Sequence, residues 1–181
     1  LKQELAPVAV PESHDYELLL VNGGDDLHHD SPLFQQQMLK IASAIGRRKK
    51  VALINTLWQA NSSFFDFMLP YVDYIAARDP LSQQELAEQH KVTSRLYVDL
   101  AYWQEINDAV GALDFAQQIV VTDYQDALSG NYIRIREPSL INAPAVDLRM
   151  LEWSMLVKSL RTASLLVTGR WHGVFAACRA G

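Results

Sequence analysis

The sequence predicts a parallel α/β protein made of two Rossmann-like units, and three observations lead there. Short apolar runs alternate with stretches whose apolar residues recur at helical spacing. Each apolar run closes on glycine, polar or turn residues, as strands do where they leave the carboxyl edge of a parallel sheet. The alternation blurs across residues 103–115 and then restarts, which divides the chain into units of 1–111 and 112–181.

Tyr16 to Val21 is the first predicted strand, and it runs out in Asn22-Gly23-Gly24-Asp25-Asp26. Ser31-Pro32 has N-cap and first-turn chemistry, and Phe34, Met38, Ile41 and Ile45 fall on one helical face that Gly46 ends. Val51 to Ile54 is the second strand, Phe64 to Leu69 a short helix and Val72 to Ala76 the third strand. Arg78-Asp79-Pro80 leads into a helix over Ser82 to Gln89, and Val92 to Val98 forms a fourth strand ending at Asp99. In the second unit Ile119 to Thr122 is a strand and Tyr132 to Ile135 another. Leu148, Leu151, Met155, Leu156 and Leu160 line a helix, and Leu165 to Val167 is the closing strand. Thr168-Gly169 breaks that strand, and small and apolar residues resume at helical spacing.

With 181 residues and 49% hydrophobic content, the chain buries one sizeable α/β core or two small ones. A formal charge of -5 excludes a general nucleic-acid binder, which needs a basic excess. Arg47-Arg48-Lys49-Lys50 fits a solvated helix C-terminus, where cations oppose the helix dipole. Cys178 has no second cysteine to pair with, and it is expected to be a small buried hydrophobe among the alanines of the last helix. With neither a secretory signal nor a run of about 18 apolar residues, a cytoplasmic location is expected.

Ligands of open α/β sheets sit beyond the carboxyl ends of the strands. Polar clusters fall there: Gly23-Gly24-Asp25-Asp26 with His28-His29, then Arg78-Asp79, then Asp99, then Arg170 with His172. Gly23-Gly24 either lets backbone approach a ligand or simply turns the chain. Arg78 is either a structural ion pair or, with Arg170, a clamp for an anionic substrate, because guanidinium grips phosphate and carboxylate bidentately. Asp79 and Asp99 read as caps as readily as functional acids. His28-His29-Asp30 is set aside as a metal site, since neighbours in an extended stretch point to opposite sides, and no metal is expected. His14 and His90 sit in polar surroundings and carry no assigned role, and Trp171 reads as packing. His172, beside Arg170 and ahead of a helix N-terminus that favours anions, reads as a proton-transfer group.

The segments VNGGDDLHHD, YIAARDPLSQQEL, VDLAYW and LVTGRWHGVFAACRAG, in that order, resemble the polysaccharide pyruvyl transferase family. Its members have a Gly-Gly loop after a strand, a strand followed by Arg-Asp and a Ser-bearing helix start, an Asp after a later strand, and an Arg-x-His-Gly motif leading into an alanine-rich helix. The resemblance covers residues 16–181. It implies a GT-B-like fold of two Rossmann-like domains with the site between them. The implied reaction transfers pyruvate from phosphoenolpyruvate onto two hydroxyls of a glycan or lipid-linked sugar, forming a cyclic ketal. Arg78, Arg170 and His172 match residues of phosphoenolpyruvate binding and catalysis, and His29, less closely His28, matches another. Gly23, Gly24 and Asp99 fall on the substrate-binding side. No cofactor is implied beyond phosphoenolpyruvate as donor, and a lipid-linked acceptor would add a peripheral membrane contact. Members carry more chain on both sides, so by this comparison the two domains are incomplete at both ends. Asp25-Asp26 stands where many members have glycine or small residues, which sets negative charge near an anionic substrate.

The chemistry suits these residue types. Phosphoenolpyruvate carries a phosphate and a carboxylate for two arginines to hold, and His172 is the candidate acid for protonating its methylene carbon or assisting phosphate departure. Two rivals remain. A GT-B-like nucleotide-sugar glycosyltransferase would want a ribose-binding acid such as Glu137 or Asp147, and a non-catalytic remnant of the fold would want none.

Overall fold

A computed structural model describes residues 15–122 and 136–181, and its strands form two parallel sheets, one of four strands and one of three. The described residues up to Leu100 make one compact unit and those from Ala101 onward a second. No helix among the described residues is long and apolar enough to cross a membrane.

The first unit runs β1 (Leu18–Gly24), α1 (Pro32–Gly46), β2 (Lys50–Thr56), a 3-10 helix (Ser63–Tyr71), β3 (Tyr74–Ala77), α2 (Pro80–Glu88) and β4 (Arg95–Leu96). Its strands lie side by side in sequence order, all parallel. Successive crossovers of one hand therefore stack the helices on one face, where Val21, Val51, Leu53, Ile75 and Ala77 meet Phe34, Met38, Ile41, Met68 and Leu86. Leu18 and Leu20 alternate to the other face and are exposed. α1 starts as the sequence predicts, and α2 starts at Pro80, two residues ahead of the expected Ser82. The Ser31 hydroxyl accepts from Phe34 N at 3.1 Å and the Asp79 carboxylate from Ser82 N at 2.9 Å, each with proline in the first turn.

Three departures have local causes. Pro70 has no N–H to give and crowds the turn before it, so the stretch after β2 is a 3-10 helix. Of the strand expected over Val92 to Val98, only Arg95–Leu96 pairs with β3, with Tyr97 N adding one bond to Ala77 O at 3.0 Å. Gly46 remains helical, and the reversal that ends α1 falls on Arg48 at φ 58°. There Arg48 N donates to Ile45 O at 2.8 Å and Lys49 N to Ala44 O at 2.9 Å, the paired bonds of a Schellman cap.

The second unit contains α3 (Leu100–Trp103, one turn at the junction), β5 (Ile119–Thr122), a 3-10 turn (Pro138–Leu140), β6 (Ala145–Val146), α4 (Trp153–Leu160), β7 (Leu165–Val167) and α5 (Trp171–Ala180). Its sheet order is β6-β5-β7, all parallel. The strand expected over Tyr132 to Ile135 lies outside the described residues. Ala101 and Ile106 pack on the core built from Phe115, Val120, Trp153, Leu156 and Val157, which draws the division of the chain ahead of the expected Gly111.

The segment where periodicity blurs is irregular, and α4 with the turn after it staples it. Asn107 N donates to Ser154 Oγ at 3.0 Å, Leu113 N to Ser159 Oγ at 2.7 Å and Phe115 N to Thr162 Oγ1 at 2.9 Å. Backbone donors that have no strand partner are satisfied by side chains of α4 and of the turn that follows it.

A left-handed arginine at the end of α1 carries a Cβ penalty that glycine lacks. Arg48→Gly is expected to stabilise the protein by about 1 kcal/mol, the αL penalty less the added unfolded-state entropy. Urea unfolding checks this, and a clear loss of stability would show that the Arg48 side chain contributes more than its backbone costs.

Candidate functional site

The carboxyl edge of the first sheet is built by close backbone approach. A Cβ on Gly23 would lie 2.8 Å from Thr56 Oγ1 and 3.0 Å from Thr56 Cα, so no side chain fits between β1 and β2 there. Gly24 follows at φ 42°, Asp26 N donates to Gly23 O at 2.9 Å, and Asp25 stands at the apex of that turn. β2 is irregular between Leu53 and Thr56, with Asn55 at φ 52°. The Asn55 amide donates to Asn22 Oδ1 at 3.2 Å and its carbonyl accepts from Leu100 N at 3.2 Å. Left-handed residues gather at this edge, with His29 at φ 53° and Asp30 at φ 48° among them. Bulges and strained backbone of this kind concentrate where a fold presents a site.

Arg78 leaves β3 at the same edge, and its N–H donates to Thr56 O at 3.1 Å. Its Nη1 donates to Asp99 Oδ2 at 3.0 Å and its Nη2 to Asp25 Oδ1. The two carboxylates differ in setting: the Arg78 and Asp99 side chains are 4% and 2% exposed, that of Asp25 59%. Of the two sequence readings of Arg78, the ion pair is present in the structure. Asp99 serves Arg78 with its carboxylate, and Asp79 is a cap whose second oxygen accepts from Ser82 Oγ at 2.6 Å.

His28 and His29 do not diverge as an extended stretch would require. The left-handed turn at His29 brings their rings edge to face at 5.2 Å, with the Nδ1 atoms 3.0 Å apart, so one nitrogen donates to the other. Among the described residues no three His, Cys, Asp or Glu side chains gather as a metal cage.

His90, to which the sequence assigns no role, is buried with Nδ1 2.6 Å from Asp66 Oδ1 and its ring edge-on to Trp58 at 5.3 Å. It ties the 3-10 helix to the end of α2. Its polar sequence neighbours gave no sign of this, because Asp66 and Trp58 reach it only through the fold.

In the second unit β7 runs into α5 through Thr168-Gly169-Arg170, and Arg170 is the N-cap residue. Thr168 Oγ1 accepts from Thr122 Oγ1 at 2.6 Å and from Arg170 N at 3.0 Å. Arg170 and His172 thus share the start of a ten-residue helix at the carboxyl edge of their sheet, both partly exposed. The N-terminal dipole adds positive potential to that of Arg170. Trp171 is exposed and packs edge-on against Phe175 at 5.3 Å. Cys178 is exposed, a correction to its expected burial: α5 turns Gly173 and Ala176 inward and leaves Cys178 off that face.

The two acids proposed for a ribose are both engaged by their own loops. The Asp147 carboxylate accepts from Arg149 Nε at 2.9 Å; the Arg149 side chain, its backbone N–H and its charge, helped by the charge of Arg170, hold the carboxyl down at about 2. Glu137 is held below its ordinary value by hydrogen bonds from Ser139, whose Oγ lies at 2.7 Å. Comparisons with protein-family models, curated proteins and solved structures return no match.

A Cβ on Gly173 would lie 2.4 Å from Thr168 Oγ1 and 3.1 Å from its Cβ and Cγ2. Alanine would gain about 1 kcal/mol of helix propensity, but the β-branched Thr168 is held by Thr122 and cannot yield. Gly173→Ala is therefore expected to lose about 1–3 kcal/mol net in urea unfolding. In a Thr168→Ala background the loss should shrink, and a stabilised Gly173→Ala single variant would contradict the close approach.

Proposed function

We propose that this chain acts in pyruvyl transfer, moving the enolpyruvyl carbons of phosphoenolpyruvate onto two hydroxyls of a sugar on a fold of GT-B-like type. The observation that carries this reading is the pairing of Arg170 with His172 on the first turn of α5, at the carboxyl edge of a parallel sheet. A cation and an imidazole there suit a substrate that is anionic and must be protonated on carbon. Arg78, at the carboxyl edge of the first sheet, is assigned to binding an anionic group of phosphoenolpyruvate, as the family resemblance implies. Gly23-Gly24, His28 and His29 line that edge and are assigned to binding, and Asp99 to holding Arg78 in place.

In the proposed reaction His172 delivers a proton to the methylene carbon, which leaves an oxocarbenium-like centre at the neighbouring carbon. One sugar hydroxyl attacks it, the bond to the phosphate oxygen breaks, and the second hydroxyl closes the ketal. One hydroxyl proton ends on the new methyl group by way of His172 and the other on the released phosphate. Arginine placement contributes orientation and charge stabilisation. The acceptor is a glycan or a lipid-linked sugar, and the latter would bring the protein to a membrane surface.

A second reading, a non-catalytic module that keeps the fold, is favoured by one observation: Arg78 is already held between two carboxylates. The nucleotide-sugar alternative lacks such support, since Asp147 and Glu137 both turn to their own loops.

Calorimetric titration with phosphoenolpyruvate and with nucleotide sugars, together with phosphate release in the presence of glycan acceptors, separates these readings. Pyruvyl transfer predicts phosphoenolpyruvate binding that Arg170→Ala weakens by about 2–4 kcal/mol and Arg170→Lys by less. It predicts that His172→Asn leaves binding nearly intact and lowers turnover by about 10²- to 10⁴-fold. Preference for a nucleotide sugar, or binding of neither donor, would remove it.

A further inference from the structure

The Arg78 side chain is only 4% exposed, with Nη1 donating to the buried Asp99 and Nη2 to the exposed Asp25, so the open way for a new anion to reach the guanidinium is by taking the place of Asp25. We propose that Asp25 is a stand-in for the substrate: it occupies the anion position on Arg78 in the unliganded protein and yields it to a phosphate or carboxylate group. This inference rests on the pyruvyl-transfer reading for the identity of the incoming anion.

The two carboxylates are built for different tasks. Asp99 is sealed in with the guanidinium, its side chain 2% exposed, and fixes the orientation of the fork. Asp25 is 59% exposed and stands on a tight turn whose glycine, Gly24, has the conformational freedom to release it. A buried guanidinium without its counter-ions is costly, so an empty anion site around Arg78 would be unstable. Asp25 removes that cost in the free protein. When a ligand anion takes over Nη2, Asp25 passes into water, where a carboxylate needs no partner. One charge-assisted hydrogen bond replaces another, and the buried cation is never bare. The device also discriminates: a neutral ligand cannot replace Asp25, and an anion must outcompete it. The negative charge of Asp25, unfavourable beside an anionic substrate if fixed, becomes a threshold that the substrate clears by displacement.

The test uses the whole chain, wild type and Asp25→Asn, titrated with inorganic phosphate, pyruvate and phosphoenolpyruvate. Loss of the competing ionic bond should tighten at least one of these by about tenfold or more in Asp25→Asn, and Arg78→Met should cancel the gain. Phosphate against pyruvate tells which group lands on Arg78. In wild type with ¹³C-labelled aspartate, the carboxyl resonance assigned to Asp25 should move on saturation with the binding anion. This second measurement decides the matter if Asp25→Asn fails to fold. A folded Asp25→Asn protein that binds these anions no more tightly, or an Asp25 resonance unmoved at saturation, overturns the exchange. If wild type binds phosphoenolpyruvate and Asp25→Asn leaves its affinity unchanged, pyruvyl transfer stands and the stand-in falls. Tightening for phosphate alone, with no phosphoenolpyruvate binding, upholds the stand-in and removes pyruvyl transfer. If neither protein binds any of the three, both fall.

Discussion

Arg78 and Asp99 face each other at 3.0 Å with almost no solvent on either side chain, and the carboxyl edge of the first sheet is organised around them. Such a pair is expensive to desolvate, and it is tolerable only when the geometry is good and further bonds fill the remaining donors. Here it also has a mechanical consequence. β4 pairs with β3 over only Arg95 and Leu96, too little to hold the chain that follows. The ion pair fixes that chain, because Asp99 lies beyond β4 and Arg78 beyond β3. The amide of Leu100, bound to Asn55, completes the attachment across to β2. Removing the guanidinium would strand a buried carboxylate and free this edge at once.

The two units apply a common device at their carboxyl edges. In the first, Gly23 lies against Thr56; in the second, Gly173 lies against Thr168. In both, a threonine at the end of a strand takes the space a Cβ would need. Two neighbouring strands, β1 and β2, are thereby pressed together in the first unit, and the end of β7 and the start of α5 in the second. Charged side chains stand beside these contacts: Asp25 on one sheet, Arg170 on the other. Small residues at these positions are packing requirements first, and the exposure of the charged neighbours follows from them.

Signals confined to one stretch of chain were legible in sequence. Ser31-Pro32 and Asp79-Pro80 mark helix starts by local capping chemistry, and β1, β2, β5 and β7 are short apolar runs ending in polar residues. What could not be read depends on partners far along the chain. Arg78 meets Asp25 and Asp99 across 53 and 21 residues, and no periodicity encodes that. The irregular stretch after α3 looked patternless because its amides are bound by Ser154, Ser159 and Thr162 of a later segment. The shortness of β4, the left-handed Arg48 and the turn at His29 are choices of backbone that the residue types do not advertise. His90 shows the same limit: polar neighbours in sequence, a buried aromatic setting in space.

The dependence of the whole edge on Arg78 and Asp99 is most directly tested by a double-mutant cycle, with Arg78→Met, Asp99→Leu and the double variant compared in urea unfolding. Arg78→Met should cost about 3–5 kcal/mol by leaving the buried Asp99 carboxylate unpaired, and Asp99→Leu, which leaves Arg78 its bond to Asp25, should cost less, about 2 kcal/mol or more. The double variant should lose no more than Arg78→Met alone, giving a coupling at least as large as the Asp99→Leu cost, about 2 kcal/mol or more. Losses that simply add would contradict the account, because the two side chains would then act independently.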